Sequence, residues 1–223
     1  MKKLIITLLL LPIAVGAMAD LLPIRDPQVQ KPVETPDSKY MAGAVPEKDG
    51  IVTFTRSFRV ANKSQAEIYA VINNYVKGLV AAARQDLRTR IISDDPAQGE
   101  VVAKVEEIMT FKKKFLNWDH TYFRYLISAK CEGQRVTMTI TQISYYYNFD
   151  QEGSGGEEYR AEEWISDKVA INKKGTKLYP RSGKFRRKTI DRVDEIFAGA
   201  KAAFSGEEEV IIKRVKQSNV IDE

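Results

Sequence analysis

The chain offers one histidine and one cysteine against 30 acidic residues, which narrows its chemistry from the start. His120 follows Trp118 and Asp119. One imidazole suffices for a Ser-His-Asp triad, which needs a hydroxyl nucleophile, a base and an orienting carboxylate. The G-x-S-x-G turn that presents such a serine is missing, and GSGG at 153–156 reads as a flexible tract. A zinc site of ordinary His/Cys count cannot be assembled from one of each unless carboxylates complete it. No P-loop, dinucleotide G-x-G-x-x-G word or calcium loop of alternating Asp occurs. No cofactor, metal or catalytic residue is therefore assigned, and His120 is expected at a surface or turn.

Carboxylates do cluster, at Asp94-Asp95, Glu106-Glu107, Glu157-Glu158, Glu162-Glu163 and Glu207 to Glu209. Two of them held ~5 to ~9.5 Å apart across a cleft would make a glycoside hydrolase. Their setting in loops and on polar faces makes solvation the simpler account. The sharpest basic word is Lys184, Arg186, Arg187 and Lys188. It opens a helix, where cations oppose the dipole. It is a candidate patch for an anion or acidic partner, or else a salt-bridged face using Asp191, Arg192 and Glu195.

Alternation supplies the other candidate. In 51–60, Val52, Phe54, Phe58 and Val60 face one way, and Thr53, Thr55, Ser57 and Arg59 the other. In 135–148, Val136, Met138 and Ile140 alternate with Thr137, Thr139 and Thr141. The opposite strand, 119–131, buries Phe123, Tyr125, Ile127, Ala129 and Cys131. Cys131 reads as a small buried hydrophobe, and a lone cysteine makes no intramolecular disulfide. The hydroxyl side, joined by Lys104 and Arg124, forms a candidate interaction face of Thr53, Thr55, Lys104, Arg124, Thr137, Thr139 and Thr141. Threonine's strand propensity and tolerance of water also explain such a face without any function.

The elements that must position these residues follow from period and punctuation. Ser64 and Glu67 form a capping box for a helix to about Ala83 with an apolar stripe of Ile68, Val71, Ile72, Tyr75, Leu79 and Val80. Residues 88–111 read as strand, turn, strand around Asp95-Pro96 and Gly99. KKKFLNWD at 112–119 reads as a loop, and Glu132-Gly133 joins the next two strands. A second long helix spans about 184–204, with Ser182 as its cap and Phe185, Ile190, Val193, Ile196 and Phe197 inward. The expected fold is α+β: a five-stranded antiparallel sheet with two long helices packed on one face, in the order β-α-β-β-β-β-α.

The ends carry other signals. Lys2 and Lys3 precede an apolar run from Leu4 to Val15, and Ala17-Met18-Ala19 precedes Asp20. That pattern is a secretory signal over 1–19, cut between Ala19 and Asp20, and its apolar run is short for a membrane span. Residues 20–48, with Pro23, Pro27, Pro32, Pro36 and Pro46, read as an extended leader. The domain is expected over 49–204 with a mobile insertion at 149–183, holding a short helix around Glu162 to Lys168, and a charged tail over 205–223. Losing Lys2 and Lys3 lowers the net charge from +5 to +3. So small a charge does not indicate nucleic acid or an anionic membrane as a partner.

Several words resemble an exported family from bacteria of the Bacteroides kind. They are Gly43-Ala44-Val45-Pro46, Gly50, Phe54, Phe58, the capping-box helix and the Phe185-Arg186-Arg187-Lys188 helix start, within residues 40 to 200. That family carries a domain of unknown function with a TATA-binding-protein-like fold. The resemblance implies the fold and transfers no catalytic residue. TATA-binding proteins bend DNA with a doubled, basic sheet and wedged phenylalanines; this single copy has neither, so nucleic acid is not expected. The expectation is an exported, non-enzymatic binding or envelope-associated interaction module in the periplasm or outside the cell, with an unknown protein or glycan partner. A secreted hydrolase using paired carboxylates and a self-associating structural protein are the alternatives. Mass spectrometry of the exported protein is expected to find Asp20 at its N-terminus, and Ala19→Arg to leave uncut precursor.

Overall fold

The computed structural model describes residues 37–83, 88–115, 117–147 and 155–205. Ala19 and Asp20, residues 1–36 generally, and the tail from 206 lie outside them. A single 3-10 turn, Ser38–Tyr40, comes first. The short strands β1 (Glu47–Lys48) and β2 (Ile51–Val52) pair as a small hairpin. Then follow β3 (Phe54–Arg59), α1 (Gln65–Ala82), β4 (Arg90–Asp95), β5 (Glu100–Lys114), β6 (Asn117–Glu132) and β7 (Arg135–Tyr147). The chain goes on through β8 (Glu157–Arg160), α2 (Ala161–Trp164), α3 (Asp167–Ala170) and α4 (Pro180–Ala202).

The main sheet is antiparallel with strand order β3-β7-β6-β5-β4, and β8 adds to β7. The α+β class stands, but the sheet has six strands where five were expected. The sixth, β8, comes from the segment expected to be a mobile insertion. From Glu157 that segment is packed structure, with Ala161, Ile165 and Ala170 buried; residues 148–154 lie outside the described residues. The end of the expected leader is packed too, since Val45 is buried in the core.

Each element has a local cause. The capping box forms as expected: Glu67 N donates to Ser64 Oγ at 3.3 Å, and Ser64 N donates to Glu67 Oε2 at 2.8 Å. The second long helix is capped differently. Tyr179 is its N-cap and Pro180 its first residue, because proline's fixed φ and missing N–H suit that position; Ser182 is buried inside the helix. At the β4–β5 turn only glycine fits: Gly99 has φ +64, and a Cβ there would stand 2.6 Å from the Cys131 carbonyl oxygen.

Both long helices cover the same sheet face, α1 against β4, β5 and β6, and α4 against β3 and β5. Phe123, Ile127, Met138 and Ile140 are fully buried beneath them. Cys131 is buried as well, and burial pushes its thiol up to about 11. Phe185 of α4 reaches three other elements, with ring centroids 4.5 Å from Phe111 of β5, 5.0 Å from Tyr145 and 5.3 Å from Tyr147 of β7, and 5.7 Å from Trp164 of α2. Each fully buried side chain of this size is worth about 1.5–3 kcal/mol over exposure.

A polar clasp joins α1 to the edge strand β4. Lys77 Nζ lies 2.7 Å from Asp94, whose carboxylate also accepts bonds from Tyr69 and Asn73. These donors, Lys77 foremost, hold the Asp94 carboxyl at about 2, below its ordinary 3.8. A depressed carboxyl stabilises the fold above its unfolded pKa and loses that contribution as pH falls through the folded value. The melting-temperature difference between wild type and Asp94→Asn is expected to stay constant above about pH 5, shrink from pH 3.8 downward and vanish near pH 2. A difference that persists unchanged at acid pH would contradict the clasp.

Candidate functional site: the open face of the sheet

The sheet face away from the helices holds the residues expected there. Three hydroxyl pairs reach β7, one from Thr53 just before β3 and two from β3: Thr53 to Thr141 at 3.1 Å, Thr55 to Thr139 at 3.4 Å and Ser57 to Thr137 at 2.9 Å. Register places them directly opposite for the last two pairs, where strand alternation sends side chains to one face. All are exposed or half-exposed. Thr141 pairs in register with Leu126, and Leu126 with Lys104, so this row adjoins a second feature across the face.

That feature is a hollow of 380 Å³ whose lining includes Arg88, Arg90, Lys104, Arg124, Ser144 and Glu158. Arg90 and Lys104 face each other across β4 and β5. Arg124 Nε donates to the buried Glu106 at 2.6 Å, and its Nη1 donates to Glu158 at 3.1 Å. The two carboxylates fix the guanidinium in place, while four cations surround two acids. Beside it, Tyr122 and Tyr146 stack with centroids 6.2 Å apart, and Arg124 lies 5.2 Å from the Tyr146 ring. The structure thus brings the seven expected face residues onto one surface, as a hydroxyl row and a cationic hollow. Arg88, Arg90, Tyr122 and Tyr146 were not foreseen there. Their alternation was readable, but which strands lay side by side was not.

The basic helix start is not a patch. Arg186 is fully buried and donates to the carbonyls of Ile165 at 2.6 Å and Met41 at 2.7 Å, and to Asp167 Oδ1 at 2.6 Å. It also donates to the Tyr40 carbonyl. Arg187 grips Asp37 with two bonds of 2.6 and 2.7 Å, and that grip holds the Asp37 carboxyl below its ordinary value. Lys184 binds Asp119 at 2.7 Å and the Tyr147 hydroxyl at 2.8 Å. Lys188 is the exposed member. A guanidinium's planar fork can meet several oxygens at fixed angles, so it serves as an internal clamp where backbone carbonyls converge.

Among the described residues the carboxylate clusters contribute mostly paired groups, and Glu207 to Glu209 lie outside the described residues. Glu107 is buried on the core face, accepts the Tyr125 hydroxyl at 2.6 Å and takes two bonds from Arg192 at 2.8 and 3.0 Å. Burial pushes the Tyr125 phenol well above its ordinary value. A larger hollow of 660 Å³ between α4 and β5 is lined by Glu107, Asp191, Asp194 and Glu195 among others. Arg192 holds Glu195, and Lys39 holds Asp191 and Asp194. Every carboxylate of that hollow already has a cation. Glu162 accepts the backbone N–H of Val52 at 2.7 Å. Among the described residues no group of three His, Cys, Asp or Glu side chains converges for a metal. His120 is buried in β6, stacked 3.9 Å on Trp118, and not at a surface or turn.

The antiparallel sheet with its helices on one face is an α+β fold, and its similarity to known proteins places it in the TATA-binding-protein-like class. Residues 54–146 match the family model described as a domain of unknown function (DUF4468) with TBP-like fold. A crystal structure of a DUF4468 family protein from Bacteroides ovatus ATCC 8483 shares 34% identity at a TM-score of 0.69, over 77% of this chain and 96% of that one. The chain belongs to the DUF4468 family. A TBP-like protein from Parabacteroides distasonis ATCC 8503 shares the fold at 21% identity and a TM-score of 0.56, over 71% of this chain and 96% of that one. A search of curated proteins gave no match.

Arg186→Ala is expected to cost roughly 3 kcal/mol or more, because it removes a fully buried guanidinium and leaves Asp167 and the carbonyls of Tyr40, Met41 and Ile165 without their donor. Lys188→Ala is expected to cost less than about 0.5 kcal/mol. Urea unfolding reads both, and equal small effects would return the basic word to the surface.

Proposed function

We propose that this domain is a non-enzymatic binding module of the cell envelope whose open sheet face takes an acidic glycan. The observation that carries the reading is the cationic hollow set beside a row of paired hydroxyls. The excess of cations over acids there attracts a carboxylate, and a charge-assisted bond is about twice as strong as a neutral one. Each hydroxyl pair offers a donor and an acceptor to a sugar's own hydroxyls. The stacked Tyr122 and Tyr146 add flat apolar area beside the charges, as sugar-ring contact requires. Such a surface is open and wet, so its affinity grows by repetition along a polymer and not from one deep contact. Export of the chain, supported by the signal-like residues 1–19, would place it among envelope polysaccharides.

The test is affinity electrophoresis of the chain from Asp20 onward in gels containing polygalacturonate or a neutral glucan. Retardation by the uronate polymer alone is expected. Lys104→Glu and Thr139→Glu should each weaken it about tenfold, the scale of one charge-assisted bond, and leave the melting temperature unchanged. Retardation that survives both substitutions would remove the face from the site. Binding to an acidic peptide with none to uronate would replace the glycan by a protein partner, and light scattering that shows dimers dissociated by Thr139→Glu would assign the face to self-association.

A further inference from the structure

The longest hairpin runs past the sheet that carries it. The last described pairing of β6 with β7 is Thr121 with Tyr147. Beyond it, Thr110 to Lys114 pair only with Asn117 to His120 among the described residues, register running from Thr110 opposite His120 to Lys114 opposite Asn117. At ~3.3 Å per residue the part of this two-stranded arm beyond Phe111 and Asp119 extends about 10 Å. The segment was expected to be a loop; ladder pairing makes it a strand-built extension.

The arm is braced at its base and bare at its tip. Phe111 packs on Phe185 and Tyr147. Asp119 is held by Lys184 at 2.7 Å and by the Tyr147 hydroxyl at 2.8 Å. Trp118 stacks on His120 and donates to Thr110 Oγ1 at 3.1 Å. Past these contacts Phe115 is 99% exposed, the most exposed large apolar side chain of the described residues. Lys112, Lys113 and Lys114 precede it and are exposed. The only acid between 110 and 120 is Asp119, which Lys184 neutralises.

We infer that this arm docks on an anionic lipid surface, with Phe115 entering the headgroup layer and the three lysines meeting lipid phosphates. Charge complementarity selects the occupant. Three consecutive cations leading to one bare aromatic ring, Lys113 of them lying 5.5 Å over the Trp118 ring, match a surface that is negative outside and apolar a few ångströms deeper. A protein partner would call for a groove or paired polar contacts, which a projecting tip does not offer. Trp118 lies half-exposed on the arm, where an amphipathic ring suits the interface. Insertion is shallow, because the turn's backbone polar groups need water. The small overall charge does not oppose this: fields near a membrane decay within about 10 Å, so the charge near the surface decides.

The test is co-sedimentation of the chain from Asp20 onward, whose core cluster lies within residues 45–200. The probes are phosphatidylcholine vesicles with and without phosphatidylglycerol. Binding only to the phosphatidylglycerol vesicles, and release by salt, are expected. Phe115→Ser should weaken binding about tenfold, and Lys112→Glu with Lys114→Glu by roughly fivefold or more per lysine. Phe115→Trp should emit bluer light on the anionic vesicles alone. These side chains are exposed, so melting temperatures should not move. No binding to anionic vesicles, equal binding to both kinds, or binding indifferent to all these substitutions would overturn the inference. Loss of a protein crosslink in the arm variants without any lipid affinity would do so as well.

Discussion

One constraint governs the molecule: β7 must keep an apolar face inward along its full length, although its sequence changes phase midway. Val136, Met138 and Ile140 point to the core, and so do Ile143 and Tyr145, which belong to the opposite parity. Gln142 absorbs the difference. It sits at φ +51 as an extra residue, and the pairing with β6 shifts between Arg124 and Leu126. Without that bulge a one-residue slip would turn every later side chain to the wrong side. The same bulge divides the edge of β7, so that β3 pairs before it and β8 after it. Tyr145 then reaches Thr189 of α4 at 2.7 Å, and the hydroxyl row ends where the cationic hollow begins.

A second layer of specificity is ionic. Buried charges are costly unless paired, and hydrophobic replacements are often as stable. Here Arg186 and Asp167 fasten the segment Tyr40 to Gly43, with Gly43 N bonding Asp167 at 2.8 Å. Glu107 and Arg192 pin α4 to β5. Both pairs define where a helix sits, which apolar contact alone leaves loose. They also tie together two segments far apart in the chain: Tyr40 and Met41 supply carbonyls and Arg186 supplies the guanidinium that gathers them.

The consequence for function is a separation of surfaces. The helix side is committed to packing, and most of its charges are paired within the chain. The open face carries hydroxyls and cations held by the ladder, and the arm carries its bare ring and lysines on a braced stem. Rigid strands hold each set without need of a ligand, so either surface would bind with little ordering cost.

The alternation in 51–60 and 119–148, the capping box at Ser64 and the glycine turns were legible in the residues, and they determined the fold class and which side of each strand is wet. Those signals are local: period, caps and turns act between neighbours a few positions apart. Four matters were decided only by tertiary structure. β8 joined the sheet because a free edge of β7 needed partners for its backbone groups. The lysine-rich 112–119 became an arm because ladder bonds outweighed its polar composition. Arg186 went inside because carbonyls from two segments, at Tyr40 and Met41 and at Ile165, met at one point. Arg88, Arg90, Lys104 and Arg124 became one hollow because three neighbouring strands, β4, β5 and β6, came into register. Each depends on groups far apart in the chain arriving together, and no local pattern encodes such an arrival.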